Sequence, residues 1–426
     1  MSDFQNDKVK VTVKENPNCV VNLVINVAPS LISQAYSQAL KAVKKETKIP
    51  GFRDGKAPDS MVAQRYPEQV QRQLKDEVAN LGFYEAMQLV KIYPYDRETI
   101  RNVKVENVSK ENGATLSIEY QTFPKTPSVN AKDLKLNKVI PEQVDDEKID
   151  IEIENLRLKE SKWSTISDRP VQEGDFVMVD LVGITDKGHF PLMSDRVFMV
   201  DKKFAPEWLY PSVIGKNTGD EVDTVIINTD PDTKAEKPSN TAKYTLKEIA
   251  VAERPELDDE FAKRHQLESV GELREQIKAY LKKQAEAIAH ANEIDQLHQL
   301  ILDKYSFPLP TRAVEIARNG LVENRIKALK ERGIQDTQIE KARKQIALEM
   351  TPLAEESVKL FFILEQVLKD QNITFSQEDL KHLDIQNFIE VQKRITKMAT
   401  LDVQKAALPE MIRIRKADEY LLSNAG

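Results

Sequence analysis

A chain of 426 residues with 40% hydrophobic and 31% charged positions is long enough for about three domains and can bury sizeable cores. Its 62 Lys and Arg stand against 69 Asp and Glu, a net charge of −7, which excludes a uniformly basic nucleic-acid coat. A single cysteine, Cys19, excludes an internal disulfide and any zinc site built from several thiolates. The N-terminus has no apolar run ahead of a small-residue cleavage site, and no stretch approaches ~18 uninterrupted apolar residues, so a cytoplasmic protein without membrane segments is expected. Only 13 glycines, among abundant Glu, Lys, Gln, Ala and Leu, favour helices.

In chain order, residues 1–126 read as a mixed α+β unit. Val9-Lys10-Val11-Thr12-Val13 alternates with period two, Val20–Val27 is a second β-branched run, and Pro17-Asn18 marks the turn between them. Pro29-Ser30 opens a helix over Leu31–Glu46, with Leu31, Ala35, Ala39, Leu40 and Val43 at apolar positions. A second helical stretch, Asp59–Leu89, takes Asp59 as its N-cap and is broken near Pro67. Val103–Val108 and Thr115–Phe123 alternate again around an Asn112-Gly113 hairpin signal. Cys19 falls in a strand pattern and reads as a small core residue rather than a nucleophile.

Residues 127–166 read as a linker with a helix. Pro124–Pro141 is polar and extended, and Asp145–Trp163 spaces Ile149, Ile153, Leu156 and Trp163 along one side of a helix. Residues 167–252 form a small β-rich domain with strands at Phe176–Gly183, Val197–Val200, Glu221–Asn228 and Lys243–Ile249. It holds 10 Lys and Arg against 15 Asp and Glu, and so is acidic. Residues 253–426 are almost wholly helical. Ser269-x-x-Glu272 is a capping box ahead of a helix of about thirty residues, and further helices are expected at 311–331, 336–371, 376–382, 385–397 and 400–423. Such long elements suggest arms with exposed apolar grooves. The fold class is therefore multidomain α+β, with an N-terminal α+β domain, a small β-rich domain and a long-helix all-α C-terminal domain.

The strongest local signal is the segment Lys41–Pro58, which carries six cations and two anions within an acidic protein. Ile49-Pro50-Gly51 ends the preceding helix, Gly51 and Gly55 permit positive φ, and Pro58 stiffens the exit. Phe52 then projects between Arg53 and Lys56 as an aromatic docking tip, or tucks back into the core; spacing alone leaves both readings open. Arg53 can fork onto a phosphate while Lys56 acts as a flexible point charge.

Gly51-Phe52-Arg53-x-Gly55-Lys56-x-Pro58, with Arg65 seven residues on, resembles the signature of the trigger factor family of bacterial ribosome-associated chaperones. The resemblance continues through Gly174-Asp175, Pro255–Phe261 and the Ser269–Ile294 helix, over nearly the whole chain. It implies that 1–126 is a ribosome-binding domain whose Phe52, Arg53 and Lys56, framed by Gly51, Gly55, Lys44 and Lys45, contact the large ribosomal subunit near the exit tunnel. It also implies nascent unfolded polypeptides as partners and an elongated arrangement with the last domain as central body. A homodimer away from the ribosome is compatible with it, and nothing in the sequence fixes one.

The same resemblance places an FK506-binding-protein-type prolyl isomerase domain at 167–252. Phe190 matches the pocket phenylalanine, Phe198 the next strand's aromatic, and Pro206-Glu207-Trp208-Leu209 the floor, with Leu209 nearest the aromatic position and Trp208 or Tyr210 as substitutes after a slip of one. Leu181 stands where the family has an aromatic, and Pro191 where single-domain relatives carry an acid. With aromatics partly replaced, peptidyl-prolyl cis-trans isomerase activity stays open, and Phe198 and Trp208 read equally well as core residues.

Leu360-Phe361-Phe362-Ile363-Leu364 covers more than one face of a helix. Either it is buried all round, or part is left as surface. By resemblance, Phe361, Phe362, Leu364, Met398 and Met411 are candidate client contacts. No Gly-x-x-x-x-Gly-Lys-Ser/Thr loop exists, so release independent of ATP is expected. The five histidines show no convergent ligand set, and neither metal nor cofactor is expected. The leading reading is an ATP-independent holding chaperone docked at the ribosome. The alternatives are an enzyme that is primarily a prolyl isomerase and a ribosome-free RNA-binding or assembly factor.

Overall fold

The alternation at Val9–Val13 becomes strand β2 (Val9–Asn16), with Val9, Val11 and Val13 buried. It pairs with β1 (Ser2–Gln5) and β3 (Val20–Val27). With β4 (Arg101–Ser109) and β5 (Gly113–Gln121) they form an antiparallel sheet in the order β1-β2-β3-β5-β4. Helices α1 (Pro29–Glu46) and α3 (Pro67–Val90) pack on it through Leu31, Ile32, Leu74 and Val78. The short α2 (Asp59–Arg65) lies between them in sequence. The β4–β5 turn requires its glycine: Gly113 has φ +87°, and a Cβ there would lie 2.0 Å from the Val27 carbonyl oxygen.

The computed structural model describes residues 1–50, 52, 56–185, 188–202, 205–226, 240–331, 334–380 and 408–426. The chain divides into two compact units, one made of Met1–Val139 with His290–Gly426 and the other of Ile140–Ala289.

Several local expectations are corrected. Cys19 is not a strand residue: Asn18 and Cys19 have φ of 58° and 59°, the paired left-handed residues of a type I′ hairpin turn, closed by Val20 N–H to Pro17 O at 3.3 Å. Asp59 is the first residue of α2 rather than its cap, and the cap position is Pro58. The stretch 124–141 is no free linker, since Ala131 and Leu134 are buried in the helical core with Leu297, Ile301, Leu360 and Leu364. The helix expected to Trp163 ends earlier: α4 (Asp146–Lys159) is followed by β6 (Lys162–Ile166), where Trp163 faces Ala252 across the sheet. The β-branched and aromatic run Trp163–Ile166 gains backbone partners there that no helix would offer.

In the second unit, β6, β7 (Phe176–Thr185), β8 (Gly188–Met199), β9 (Glu221–Ile226) and the long β10 (Asn240–Glu253) form an antiparallel sheet. Its order is β6-β10-β7-β8, with β9 also on β10. Val177, Val179, Leu181, Tyr244 and Leu246 make its core with Leu209 and Val213, the latter on the single-turn α5 (Tyr210–Val213). Helices α4, α6 (Asp259–Arg264) and the first turns of α7 (Val270–Lys304) pack through Ile149, Ile153, Phe261 and Leu273. The α7 capping box forms with a shift: Ser269 Oγ accepts from Glu272 N–H at 3.3 Å, while the Glu272 carboxylate accepts from Glu268 N–H at 2.8 Å.

Beyond α7, α8 (Thr311–Glu331) and α9 (Asp336–Asp370) form a helical hairpin zipped by Val322, Ile326, Ile339 and Ile346. The expected helix at 376–382 is a short 3-10 turn, Gln377–Leu380. That at 385–397 lies outside the described residues, and that at 400–423 is described from α10 (Leu408–Asn424) onward. Among the described residues no helix is long and apolar enough to cross a membrane.

Candidate functional site

The cationic tip grows from the end of α1. Thr47 closes that helix, its N–H and hydroxyl both donating to Val43 O, at 3.0 and 2.7 Å. Lys44 and Lys45 sit in the last turn, where cations complement the negative end of the helix dipole. The two feet of the loop, Ile49 and Ala57, are buried in a small satellite core with Leu40, Val43, Val62 and Val70. Tyr66 adds a hydroxyl donated to Lys48 O at 3.1 Å. Between these feet Phe52 N–H donates to Ile49 O at 3.1 Å, and the residue is 40% exposed. The tucked reading of Phe52 is therefore not the observed one.

Lys45 and Lys56 are exposed. Lys44 is engaged in an ion pair with Asp59, so it is not a free cation of the tip. Gly51, Arg53 and Gly55 lie outside the described residues. Sequence reasoning misses Met61 in the first turns of α2, which is 43% exposed. An apolar residue one turn into an amphipathic helix reads as core unless its neighbours are known.

In the second unit the rings of Phe198 and Trp208 meet edge to face at 5.7 Å, and those of Trp208 and Tyr244 at 5.8 Å. Trp208 is held from behind, its carbonyl accepting the Thr224 hydroxyl at 2.7 Å. The Tyr244 hydroxyl shares a hydrogen bond of 3.0 Å with Ser212, and burial raises its pKa, so it is a neutral phenol. Leu209, expected nearest the aromatic floor position, is fully buried, as is Leu181. This corrects its position: Leu209 packs beneath the rings, and half-buried Trp208 occupies the accessible place. Phe190 belongs to β8 opposite Gly183, and its side chain lies outside the description. Sequence reasoning also misses Tyr244, because alternation over Lys243–Ile249 marks a strand without showing that this ring meets the Trp208 turn.

The apolar segment of α9 is covered on more than one side. Phe362 packs toward Ala313, Ala317 and Leu321 of α8, whereas Leu360, Ile363 and Leu364 pack with Leu297 and Ile301 of α7 and Ile414 of α10. This corrects the client assignment of Phe362, Leu364 and Met411, which are all buried; Phe361 is half-buried, and Met398 lies outside the described residues. Five apolar residues in a row are explained by neighbours on both flanks. Among the described residues the large apolar side chains that stay exposed on the hairpin are Ile316 on α8, Ile334 in the connection and Leu348 on α9. Among the described residues no group of three or more His, Cys, Asp or Glu side chains is arranged to hold a metal.

Comparison with known proteins follows the same geography. A family model described as bacterial trigger factor protein (TF) matches residues 9–156, and one described as bacterial trigger factor protein (TF) C-terminus matches residues 269–423. A trigger factor from Protochlamydia amoebophila (strain UWE25) is 30% identical over 380 residues, covering 88% of this chain and 86% of its own. One from Chlamydia pneumoniae is 26% identical over 438 residues, covering 99% and 97%. A solved trigger factor chaperone aligns over 97% of this chain and 98% of its own at 20% identity, with a TM-score of 0.40 that carries none of the assignment.

Proposed function

This chain belongs to the trigger factor family of ribosome-associated chaperones, and from that premise we propose that it docks on the large ribosomal subunit near the exit tunnel through Phe52, Arg53 and Lys56 and holds nascent polypeptides without ATP, in the cytoplasm. The observation that carries this reading is that Phe52 is two-fifths exposed on a loop whose feet, Ile49 and Ala57, are buried. A rigidly footed apolar tip beside exposed Lys45 and Lys56 suits a surface of phosphates with an apolar recess, because the ring adds contact area where charge alone gives only non-specific attraction.

The test is co-sedimentation with ribosomes across a salt series. Two to four phosphate contacts give a slope of log affinity against log salt of roughly −2 to −3. The triple variant Phe52→Ala, Arg53→Ala, Lys56→Ala should lose co-sedimentation while keeping its far-ultraviolet circular dichroism. Retention by that variant would sink the docking role, and equal affinity for naked RNA would favour the RNA-binding reading. Client holding is assigned to the exposed apolar positions of the α8–α9 hairpin, Ile316, Ile334 and Leu348, in place of the buried α9 segment. The Phe198–Trp208–Tyr244 rings support a second activity, prolyl isomerisation, since flat apolar walls fit a proline ring.

A further inference from the structure

The first unit holds a recess of about 360 Å³ where the β2–β3 hairpin turn meets the segment that follows α7, a size at the small end of the range for small-molecule sites. Its apolar walls come from Cys19, Val20, Ile92, Tyr93, Phe123 and Pro308. Tyr93 and Phe123 are 50% and 53% exposed, and the Phe123 ring is held edge to face against Tyr95 at 5.2 Å. Hydrogen bonds tie these walls together. Thr122 N–H donates to Cys19 O and the Thr122 hydroxyl to Tyr93 O, both at 2.8 Å, while the Cys19 thiol donates to Pro308 O at 3.3 Å. Three charged side chains also line the recess. The Glu15 carboxylate accepts from Lys125 at both oxygens, at 2.9 and 2.6 Å. Lys91 has no ion-pair partner among the described residues.

We infer that this recess is a binding site for a small aromatic carboxylate, a flat apolar body carrying one anionic group. Three properties select that class. The half-exposed rings of Tyr93 and Phe123, with Val20 and Ile92 beside them, offer apolar and aromatic surface on which a flat ring packs. With Glu15 neutralised by Lys125, the Lys91 ammonium is the charge left over, so an anion is attracted and a cation is not. The strand that supplies Val20 and Val21 is paired on both sides, with β2 and with β5. That wall therefore offers side chains but no strand edge for an extended chain, and suits a compact molecule. Walls already tied to one another by hydrogen bonds need little ordering when the ligand enters. The site shares no residue with the loop tip or with the Phe198–Trp208–Tyr244 rings, and it stands independently of ribosome docking.

The test is isothermal titration of the full chain with naphthaleneacetate, the neutral naphthaleneacetamide and the cationic naphthaleneethylamine, which share one ring system. The acid should bind about two- to fivefold more tightly than the amide, the range of a partly exposed charge pair, and the amine should bind most weakly. Lys91→Gln should bring the acid down to the level of the amide while leaving the unfolding midpoint unchanged. Phe123→Ala should weaken the acid and the amide alike, by about three- to tenfold. Cys19 is the sole cysteine of the chain and lines the recess, so saturating naphthaleneacetate should slow its alkylation by iodoacetamide. Binding to exposed apolar surface elsewhere on the molecule would leave that rate alone. Failure of the acid to bind, equal affinity for acid and amide, or an acid preference that survives Lys91→Gln would overturn the proposal. So would an alkylation rate unchanged at saturation.

Discussion

Lys44 on the last turn of α1 and Asp59 on the first turn of α2 form an ion pair that bridges the two ends of the cationic loop. The carboxylate is 61% exposed against 19% for the lysine side chain, so the pair is worth under about 1 kcal/mol of stability. Its effect is on charge presentation: while paired, Lys44 adds little to the field of the tip. Asp59→Asn should free the ammonium, tighten ribosome binding at low salt and steepen the salt slope by roughly one unit. An unchanged slope in co-sedimentation would mean that Lys44 does not reach the ribosome.

Gly113→Ala should destabilise the chain by about 2 kcal/mol or more, because the new methyl meets the Val27 carbonyl and the residue must hold a left-handed φ. Urea titration followed by circular dichroism reads the shift. A cost below about 0.5 kcal/mol would show that the β4–β5 turn can re-form elsewhere.

His290 on α7 shares a 3.1 Å hydrogen bond with Glu419 on α10. That bond raises its pKa above 6.5, against opposing burial and the nearby Arg415, and with some help from Glu293. Glu419 is correspondingly lowered, chiefly by the same bond. A raised histidine contributes stability that is fully present below about pH 6.5 and is lost as pH rises through the higher folded pKa. A lowered carboxyl contributes above its usual range and loses this as pH falls. The α10 anchorage should therefore be firmest between the two, and the protection factors of α10 amides, which are corrected for the intrinsic base catalysis of exchange, should fall as pH rises above about 6.5. His290→Gln should flatten that profile; an unaltered profile would remove His290 as its cause.

Cys19 lies in the hairpin turn with its Sγ donating to Pro308 O at 3.3 Å, and burial pushes its pKa up to about 11. At about pH 7.5 its thiolate fraction is then roughly two orders of magnitude below that of an ordinary cysteine. Iodoacetamide should label it correspondingly slowly, and denaturation in urea should restore the normal rate. Rapid labelling of the native chain would show that the thiol is not held against Pro308.

The isomerase reading is testable on the rings themselves. Trp208→Ala should abolish acceleration of a proline-limited refolding step, whose uncatalysed phase takes tens to hundreds of seconds. Leu209→Ala should act chiefly through stability, at about 2–5 kcal/mol, because that side chain has no exposed surface. If the parent chain leaves the slow phase untouched, the domain is a peptide-binding or structural one.

What can be read from the chain is whatever local periodicity dictates. Val9, Val11 and Val13 alternate because one face of β2 is buried, and α7, α8 and α9 announce themselves by spacing and caps. Trp163 misleads because the residues just before it do follow helical spacing, and only a partner strand near Ala252 draws it into a sheet. The Leu360–Leu364 segment is ambiguous for the same reason: composition records that it is sticky, while burial depends on what α7, α8 and α10 place beside it. Phe52 is legible as a loop residue between glycines, but its exposure follows from the buried feet Ile49 and Ala57, whose neighbours lie on three different helices.

The seating of Leu134 beside Ile414, Ala417 and Leu421 of α10 has a consequence for the molecule's own birth. Synthesis proceeds from the N-terminus, so the stretch of chain around Leu134 emerges long before the helix that will cover it. Until translation ends, that half-built hydrophobic seam faces solvent and is open to misassociation. A member of a chaperone family is thus, for most of its own manufacture, a chain whose central seam has yet to be closed.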